Sequence, residues 1–128
     1  MKLLLDTQSF LWFISGSPKL SESARQLIEA VNNQPFLSMA SLWEMGIKVS
    51  LGKLTLDQPF DTMIPEQLAQ NGIEVIQIEF PHVAVVANLP FHHRDPFDRL
   101  IAAQANVEGM SVVSSDEMFD TYGVTRLW

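Results

Sequence analysis

The stretch that decides the fold runs from Asp95 to Asp116 and has the sequence DPFDRLIAAQANVEGMSVVSSD. Asp95 is a natural N-cap and Pro96 suits the first position of a helix, so we expect a helix to begin here. Gly109 is a natural C-cap, and the apolar run after it predicts a strand over residues 110–114. Asp116 follows directly. The stretch therefore predicts a helix, a strand and an acid at the strand's carboxyl end.

The same alternation continues through the rest of the chain. Apolar runs bounded by turn residues predict strands over residues 2–5, 35–38, 73–78 and 124–127. Helices are predicted over residues 9–14, 21–31, 40–49, 60–71 and 81–88, with a short turn or helix over 116–122. The helix over 21–31 has Ser21 as its expected N-cap and an apolar face of Ala24, Leu27, Ile28 and Val31. Such alternation predicts an α/β fold with a mostly parallel sheet and helices on both faces.

The composition indicates one compact domain over residues 1–128. Apolar residues make up 47% and charged residues 18%, which is ordinary for a globular protein. The absence of cysteine excludes disulfides, cysteine-based zinc sites and thiol nucleophiles. The net charge of −7 argues against a simple nucleic-acid-binding module, because such modules bind by neutralising phosphates. It does not argue against a nuclease whose acids are screened by a divalent metal.

The N-terminal residues resemble the start of a signal peptide only briefly. Asp6 interrupts the apolar run, and no small-residue cleavage site follows. The sequence also lacks a run of about 18 apolar residues that could span a membrane. We therefore expect a soluble, cytoplasmic protein that begins at Met1 and does not bind membranes.

Four acids fall near the ends of the predicted strands. Asp6 follows the first strand and Asp116 follows the fourth, while Glu44 lies on the helix after the second. Asp98 lies in the first turn of the helix that Asp95 caps. Ligands of open α/β sheets bind outside the carboxyl ends of the strands, so we expect the four acids to share one rim. Carboxylates brought together repel one another, and Mg²⁺, which prefers oxygen ligands, relieves that repulsion and promotes attack of water on a phosphate.

Each acid also has a purely structural explanation. Asp6 and Asp116 are favourable N-caps, and Asp98 is favourable near the positive end of a helix. Glu44 suits a solvent-exposed helix face. Asp95 is better explained as an N-cap than as a ligand. Convergence distinguishes the two interpretations, because four independent caps have no reason to share one rim.

The remaining polar residues are weaker candidates. Arg94 and Arg99 could contact a phosphate, or could instead pair at the surface with an acid such as Glu108. Thr7 and Ser114 could orient carboxylates or water, although hydroxyls are also routine at strand ends.

The histidines and tryptophans are weaker candidates for the functional site. His92 and His93 are adjacent and so lack the spacing of a helical metal pair, and His82 stands alone. Trp12 and Trp43 are expected in the core rather than as platforms for base stacking.

Several motifs, in this order, resemble the PIN domain. They are residues 4–7 (LLDT), 41–45 (SLWEM) with Lys48, 52–54 (GKL), 93–102 (HRDPFDRLIA) and 114–116 (SSD). The resemblance is closer to the VapC-like toxins of bacterial type II toxin–antitoxin systems, and it runs from residue 3 to residue 128. No single motif is decisive; their order, spacing and joint coverage make the match specific.

This resemblance implies a sheet in the order 3-2-1-4-5 and a toxin that is an endoribonuclease dependent on one or two Mg²⁺ or Mn²⁺ ions. In such an enzyme a metal-activated water hydrolyses RNA phosphodiester bonds. The resemblance assigns the catalytic and metal-binding acids to Asp6, Glu44, Asp98 and Asp116, with Asp98 preferred over Asp95. The hydroxyl residue two positions before the fourth acid is Ser114 here.

The resemblance also implies partners: an RNA substrate, a small antitoxin that blocks the site, and a second copy of the chain in a homodimer. The apolar segment over residues 10–14 (FLWFI) has more bulk than one helix face needs and could supply a groove for the antitoxin. Burial against the sheet explains the same segment.

Three other functions deserve comparison. A receiver domain needs an acid pair after its first strand and a lysine after its fifth, but Thr7 follows Asp6 and no lysine follows Lys53. A phosphatase of the haloacid dehalogenase type needs Asp-x-Asp, whereas Gln8 occupies the third position here. A PIN fold that has lost activity and only binds a partner stays open, since only a rate measurement settles it.

Overall fold

The computed structural model describes residues 1–92 and 94–128. Its strands are β1 (Lys2–Leu5), β2 (Gln34–Ser38), β3 (Glu74–Ile76), β4 (Ser111–Val113) and β5 (Arg126–Leu127). Its helices are α1 (Thr7–Ser15), α2 (Glu22–Glu29), α3 (Met39–Ser50), α4 (Phe60–Gln70), α5 (Phe80–Asn88) and α6 (Pro96–Glu108). A 3₁₀ helix, Glu117–Tyr122, lies between β4 and β5. Each predicted element is present, and β3, β4 and β5 are shorter than predicted.

The strands form one sheet in the order β3-β2-β1-β4-β5, and all four pairings are parallel. This confirms the α/β class and the strand order that the resemblance implies. It contradicts the receiver-like alternative, because a sheet of the receiver type has the order 2-1-3-4-5. The strand order changes direction between β1 and β4, and ligands of such sheets bind beyond the carboxyl ends at that point.

The central strand β1 is buried on both faces of the sheet. Leu3 and Leu5 pack into one core together with Phe10 of α1. Leu4 packs into a second core together with Ile101 of α6. Successive side chains of a strand point to opposite faces, so the two cores lie on opposite sides of the sheet. The prediction of helices on both faces is therefore confirmed.

Helix α6 has the ends that its sequence predicts. The Asp95 carboxylate accepts hydrogen bonds from the backbone N–H groups of Phe97 (2.8 Å) and Asp98 (3.1 Å). Gly109 ends the helix in the left-handed region, at φ 67°, a conformation that costs glycine nothing. Both caps are local, and together they fix where the first turn of α6 begins.

The apolar face of α2 is shorter than predicted. Ser21 caps the helix, and Ala24 and Ile28 are buried as expected. The helix ends at Glu29, however, and Val31 is fully exposed. The prediction for Val31 is wrong because the chain leaves the helix before that residue can turn toward the core.

Candidate active site

The four predicted acids line one pocket of about 230 Å³ at the carboxyl ends of β1 and β4. The pocket lining consists of Asp6, Thr7, Gln8, Leu11, Glu44, Lys48, Asp95, Asp98, Ser115 and Asp116. Asp6 follows β1 directly, and Asp116 lies three residues beyond β4. The acids therefore converge, although they come from four separate parts of the chain.

Asp6 caps helix α1 and also lines this pocket. Its Oδ1 accepts a hydrogen bond from the Ser9 N–H at 2.8 Å, which caps α1. Its Oδ2 accepts from the hydroxyl of Ser114 at 2.5 Å. Burial raises the pKa of the Asp6 carboxyl, and the nearby charge of Asp116 raises it further. The environment of Asp6 therefore disfavours the ionised form of its carboxyl.

Ser114 links the two acids that follow neighbouring strands. It is fully buried, and its Oγ accepts a hydrogen bond from the Asp116 N–H at 2.9 Å while its proton points to Asp6. The Asp116 carboxylate in turn accepts from the Met118 N–H at 2.9 Å and caps the 3₁₀ helix. Asp6 and Asp116 thus combine the capping and pocket-lining roles that the sequence presents as alternatives.

Glu44 is buried, with 7% of its surface exposed, so its interpretation as a solvated face residue is wrong. Its Oε1 accepts a hydrogen bond from the Thr7 hydroxyl at 2.6 Å, and Thr7 also lies 2.9 Å from the hydroxyl of Ser41. Its Oε2 forms an ion pair with Lys48 Nζ at 2.8 Å. The hydrogen bond to Glu44 raises the pKa of Lys48, and the charges of Asp95 and Asp98 add to that effect.

Lys48 belongs to the motif that contains Glu44, but its position in the site is not predicted from the sequence; it lines the pocket. The spacing of Glu44 and Lys48 is i, i+4, which brings two side chains together on one helix face. That signal was available, but it does not tell whether the pair faces solvent or a pocket. Asp95 also lines the pocket, in addition to its predicted role as the cap of α6.

Arg94 and Arg99 occupy different environments. Arg94 is exposed. Arg99 is buried, and its guanidinium donates to the backbone carbonyls of Val86 (3.3 Å), Leu89 (3.3 Å) and Pro90 (2.8 Å). The phosphate contact predicted for Arg99 is therefore contradicted, because its donors are directed to the carboxyl end of α5. Helix carbonyls at that end have no partner within the helix and attract a cation.

We expect Arg99→Met to lower the free energy of unfolding by about 3 kcal/mol, since hydrogen bonds to a charged donor are strong and the carbonyls would lose their partner. Arg25→Met is the matched control. Arg99 lies over the Phe91 ring and Arg25 over the Phe13 ring. Arg25, however, makes only long polar contacts, to exposed Glu29 at 4.0 Å and to the Ser17 carbonyl at 3.4 Å, so a loss below about 1 kcal/mol is expected there. Urea unfolding measures both variants, and equal losses would contradict the structural role of Arg99.

A second group of possible ligands lies between α5 and α6. The ligand atoms of Glu79, His82 and Glu108 are within 4.8 Å of one another. His82 is fully buried; its Nδ1 accepts from the Glu79 N–H at 3.0 Å and its Nε2 lies 2.9 Å from Glu108 Oε1. Because Nδ1 accepts, Nε2 carries the proton and donates it to Glu108. An ion would have to displace that proton, so the arrangement fits a link between two helices better than a metal site. His93 lies outside the described residues.

The two tryptophans share one prediction but lie in different environments. Trp12 is partly buried and packs against Trp128, with ring centroids 5.9 Å apart. Trp43 is 63% exposed and contacts Phe97 edge to face at 5.5 Å, so its assignment to the core is wrong. Trp43 and Phe97 belong to an apolar patch around a pocket of about 250 Å³, whose lining is Trp43, Val83, Val86, Pro96, Phe97 and Leu100.

A groove of about 340 Å³ adjoins the carboxylate pocket. It runs between α1 and the segment after α3, and its lining includes Trp12, Lys53, Leu54 and Met63. Three residues, Gln8, Leu11 and Lys48, line both the groove and the carboxylate pocket. The groove therefore opens onto the acids.

Comparison with known proteins identifies the family. The family model of the PIN domain matches residues 3–124. The chain therefore belongs to the PIN-domain family.

Individual relatives agree with this assignment. Ribonuclease VapC16 of Mycobacterium tuberculosis is 31% identical over 71 residues, which is 52% of this chain and 50% of that protein. The match thus spans about half the length of this curated relative.

Solved structures share the fold. VapBC2 from Rickettsia felis, bound to a DNA fragment from its promoter, has a TM-score of 0.75 at 19% identity over 99% of this chain and 98% of that chain. FitAcB from Neisseria gonorrhoeae has a TM-score of 0.70 at 20% identity, over 98% and 96% of the two chains. Among the described residues, no helix is both long and apolar enough to cross a membrane.

Proposed function

We propose that this protein is a metal-dependent endoribonuclease and the toxin of a type II toxin–antitoxin pair, with residues 1–128 forming a single PIN domain. The observation that carries the proposal is the convergence of Asp6, Glu44, Asp98 and Asp116 on one pocket. Membership of the PIN family and a relative named as a ribonuclease support the same activity. A cytoplasmic location is part of the proposal.

The donor set suits a hard divalent cation. Five carboxylates line the pocket, and burial together with the charge of Asp116 disfavours ionised Asp6. Carboxylate oxygens are the ligands that Mg²⁺ and Mn²⁺ take in proteins, and a bound cation offsets their repulsion. We assign the ion to Asp6, Asp98 and Asp116, with Glu44 as a further ligand or a support. When bound there, Mg²⁺ or Mn²⁺ would act as a Lewis acid that lowers the pKa of a bound water and offsets negative charge on a phosphate.

The side chains beside the acids hold those acids in fixed orientations. Ser114 fixes the orientation of the Asp6 carboxylate and of the Asp116 backbone, and Thr7 does the same for Glu44. Rigid support of this kind holds reacting groups in a productive position. Arg94 is exposed near the start of α6, and we assign it a contact with the RNA phosphate.

Metal removal and restoration test the proposal. Purified protein, free of antitoxin and stripped with a chelator, is expected to leave total bacterial RNA intact and to cut it at discrete positions once Mg²⁺ or Mn²⁺ returns. A metal-loaded chain that leaves the RNA intact would shift the conclusion to the non-catalytic PIN domain that only binds a partner. Mapping the new ends then identifies the cleaved sequence.

We propose that an antitoxin segment occupies the groove beside the carboxylate pocket. The groove combines apolar walls with Lys48 and Lys53, and it opens onto the acids through Gln8 and Leu11. An amphipathic segment with acidic side chains fits such a surface. One solved structure with this fold is described as a toxin–antitoxin complex from Klebsiella pneumoniae, which supports the assignment. Inhibition of cleavage by a cognate antitoxin, and the loss of that inhibition when Leu11 is replaced by Glu, would test it.

The apolar patch fits the predicted homodimer. Its lining comes from three helices, and Trp43 and Val83 are 63% and 49% exposed. An exposed apolar patch of this kind commonly marks a protein interface, and two copies related by a two-fold axis can cover it with the same patch. We propose a second copy of this chain as the occupant. Light scattering that shows a single-chain mass at all concentrations would contradict this.

A further inference from the structure

Lys48 is the cationic member of the carboxylate pocket among the described residues that line it. Its side chain is 46% exposed, so the ammonium group is accessible from solvent. Glu44 accepts one of its protons at 2.8 Å, and an ammonium group has three to donate. The remaining donors lie at the mouth of a pocket that would hold the RNA phosphate.

The anchor of Lys48 is itself rigid. Glu44 is buried, and the Thr7 hydroxyl fixes its other oxygen at 2.6 Å. A solvent-exposed i, i+4 ion pair stabilises a helix by only a few tenths of a kcal/mol. Such a small gain does not explain a buried acid with two oriented donors. A carboxylate held in this way does suit the placement of a cation over the pocket.

The charge of the whole chain makes this cation important. The sequence contains eight lysine and arginine residues against fifteen acids. Arg99 donates to backbone carbonyls, Arg126 pairs with Asp120 at 3.0 Å, and Arg25 pairs with Glu29. Three of the eight basic residues are thus engaged elsewhere, whereas Lys48 lines both the carboxylate pocket and the adjoining groove.

We propose that Lys48 is a catalytic residue that donates a hydrogen bond to a non-bridging oxygen of the scissile RNA phosphate, while Glu44 and Thr7 position it. This inference rests on the proposed ribonuclease function. Negative charge grows on the phosphate oxygens as the attacking oxygen approaches phosphorus, and a charged donor that is already in place stabilises that state most. Lys48 thus adds a fixed cation that the chain itself supplies.

The test compares Lys48→Met and Lys48→Arg with the wild type and with Lys19→Met, a matched control at an exposed lysine outside the pocket and the groove. Single-turnover cleavage of one mapped RNA gives the rate and the apparent KM, and calorimetry gives the affinity for Mn²⁺ without RNA. For Lys48→Met we expect the rate to fall about 100-fold, while the affinity for Mn²⁺ stays equal or increases because a competing cation is gone. Lys48→Arg should recover most of the rate, and Lys19→Met should keep it.

The outcomes separate this role from others. Cleavage by Lys48→Met at the wild-type rate overturns the proposal. A parallel loss of rate and of Mn²⁺ affinity also overturns it, because that result would give Lys48 a role in shaping the metal site. Wild-type protein that binds Mn²⁺ but never cuts RNA overturns the proposed function itself, and the catalytic role of Lys48 with it.

Discussion

Asp6→Asn is expected to lower RNA cleavage at least about 100-fold and, in the absence of metal, to raise the melting temperature of the protein by a few degrees. The first effect follows because asparagine removes a charged ligand. The second follows because the buried Asp6 carboxylate is disfavoured by desolvation and by the charge of Asp116. Asparagine can still accept from the Ser9 N–H and can donate to the Ser114 oxygen, so the cap of α1 is kept.

The pH dependence gives this prediction a second readout. The pKa of Asp6 is raised in the folded protein, so folded protein binds this proton more tightly than the unfolded chain does. The carboxyl therefore contributes stability below its unfolded pKa, and that contribution is lost as the pH rises through the folded pKa. We expect the advantage of Asp6→Asn to be large near neutral pH and to shrink in acid.

Thermal unfolding in a chelator measures this effect, with Asp61→Asn at an exposed position of α4 as the control. An Asp6→Asn protein that melts below the wild type at neutral pH would show that the buried charge does not destabilise the folded protein. Added Mn²⁺ should stabilise the wild type and leave Asp6→Asn almost unchanged, since a ligand stabilises only the protein that binds it.

The sequence predicts those parts of the fold and site that depend on local chemistry. Asp95, Pro96 and Gly109 fix the ends of α6 through contacts within a few residues. Asp6 and Asp116 are predicted as site residues because each follows a strand, and the carboxyl ends of parallel strands lie on the binding rim of the sheet. These predictions need no knowledge of which helix packs against which.

The features that the sequence does not predict depend on contacts between distant elements. Glu44 is buried because α3 packs against α1, which also brings it to Thr7, 37 positions away in the chain. Arg99 turns inward because the carboxyl end of α5 lies beside α6 and offers three carbonyls. Trp43 is exposed because α3 presents it to the apolar patch rather than to the sheet. In each case the residue type allows two environments, and only the packing selects between them.

Asp98→Asn and Asp95→Asn should separate a ligand from a cap on the same helix turn. Both acids line the pocket, and the Asp95 carboxylate also accepts from the Phe97 and Asp98 N–H groups. Asparagine caps a helix about as well as aspartate does, so Asp95→Asn keeps α6 in place. Its rate is expected to fall about tenfold, the lower end of the range for a residue that supports a metal site without ligating the ion.

Asp98→Asn is expected to lower cleavage at least about 100-fold, because a charged oxygen ligand is lost. Helix α6 should still form in this variant, since its cap belongs to Asp95. Calorimetry with Mn²⁺ and single-turnover cleavage test the pair, with circular dichroism to confirm the fold. If Asp95→Asn lost more Mn²⁺ affinity than Asp98→Asn, the roles of the two acids would be reversed. The metal would then be held by the residue that also begins the helix.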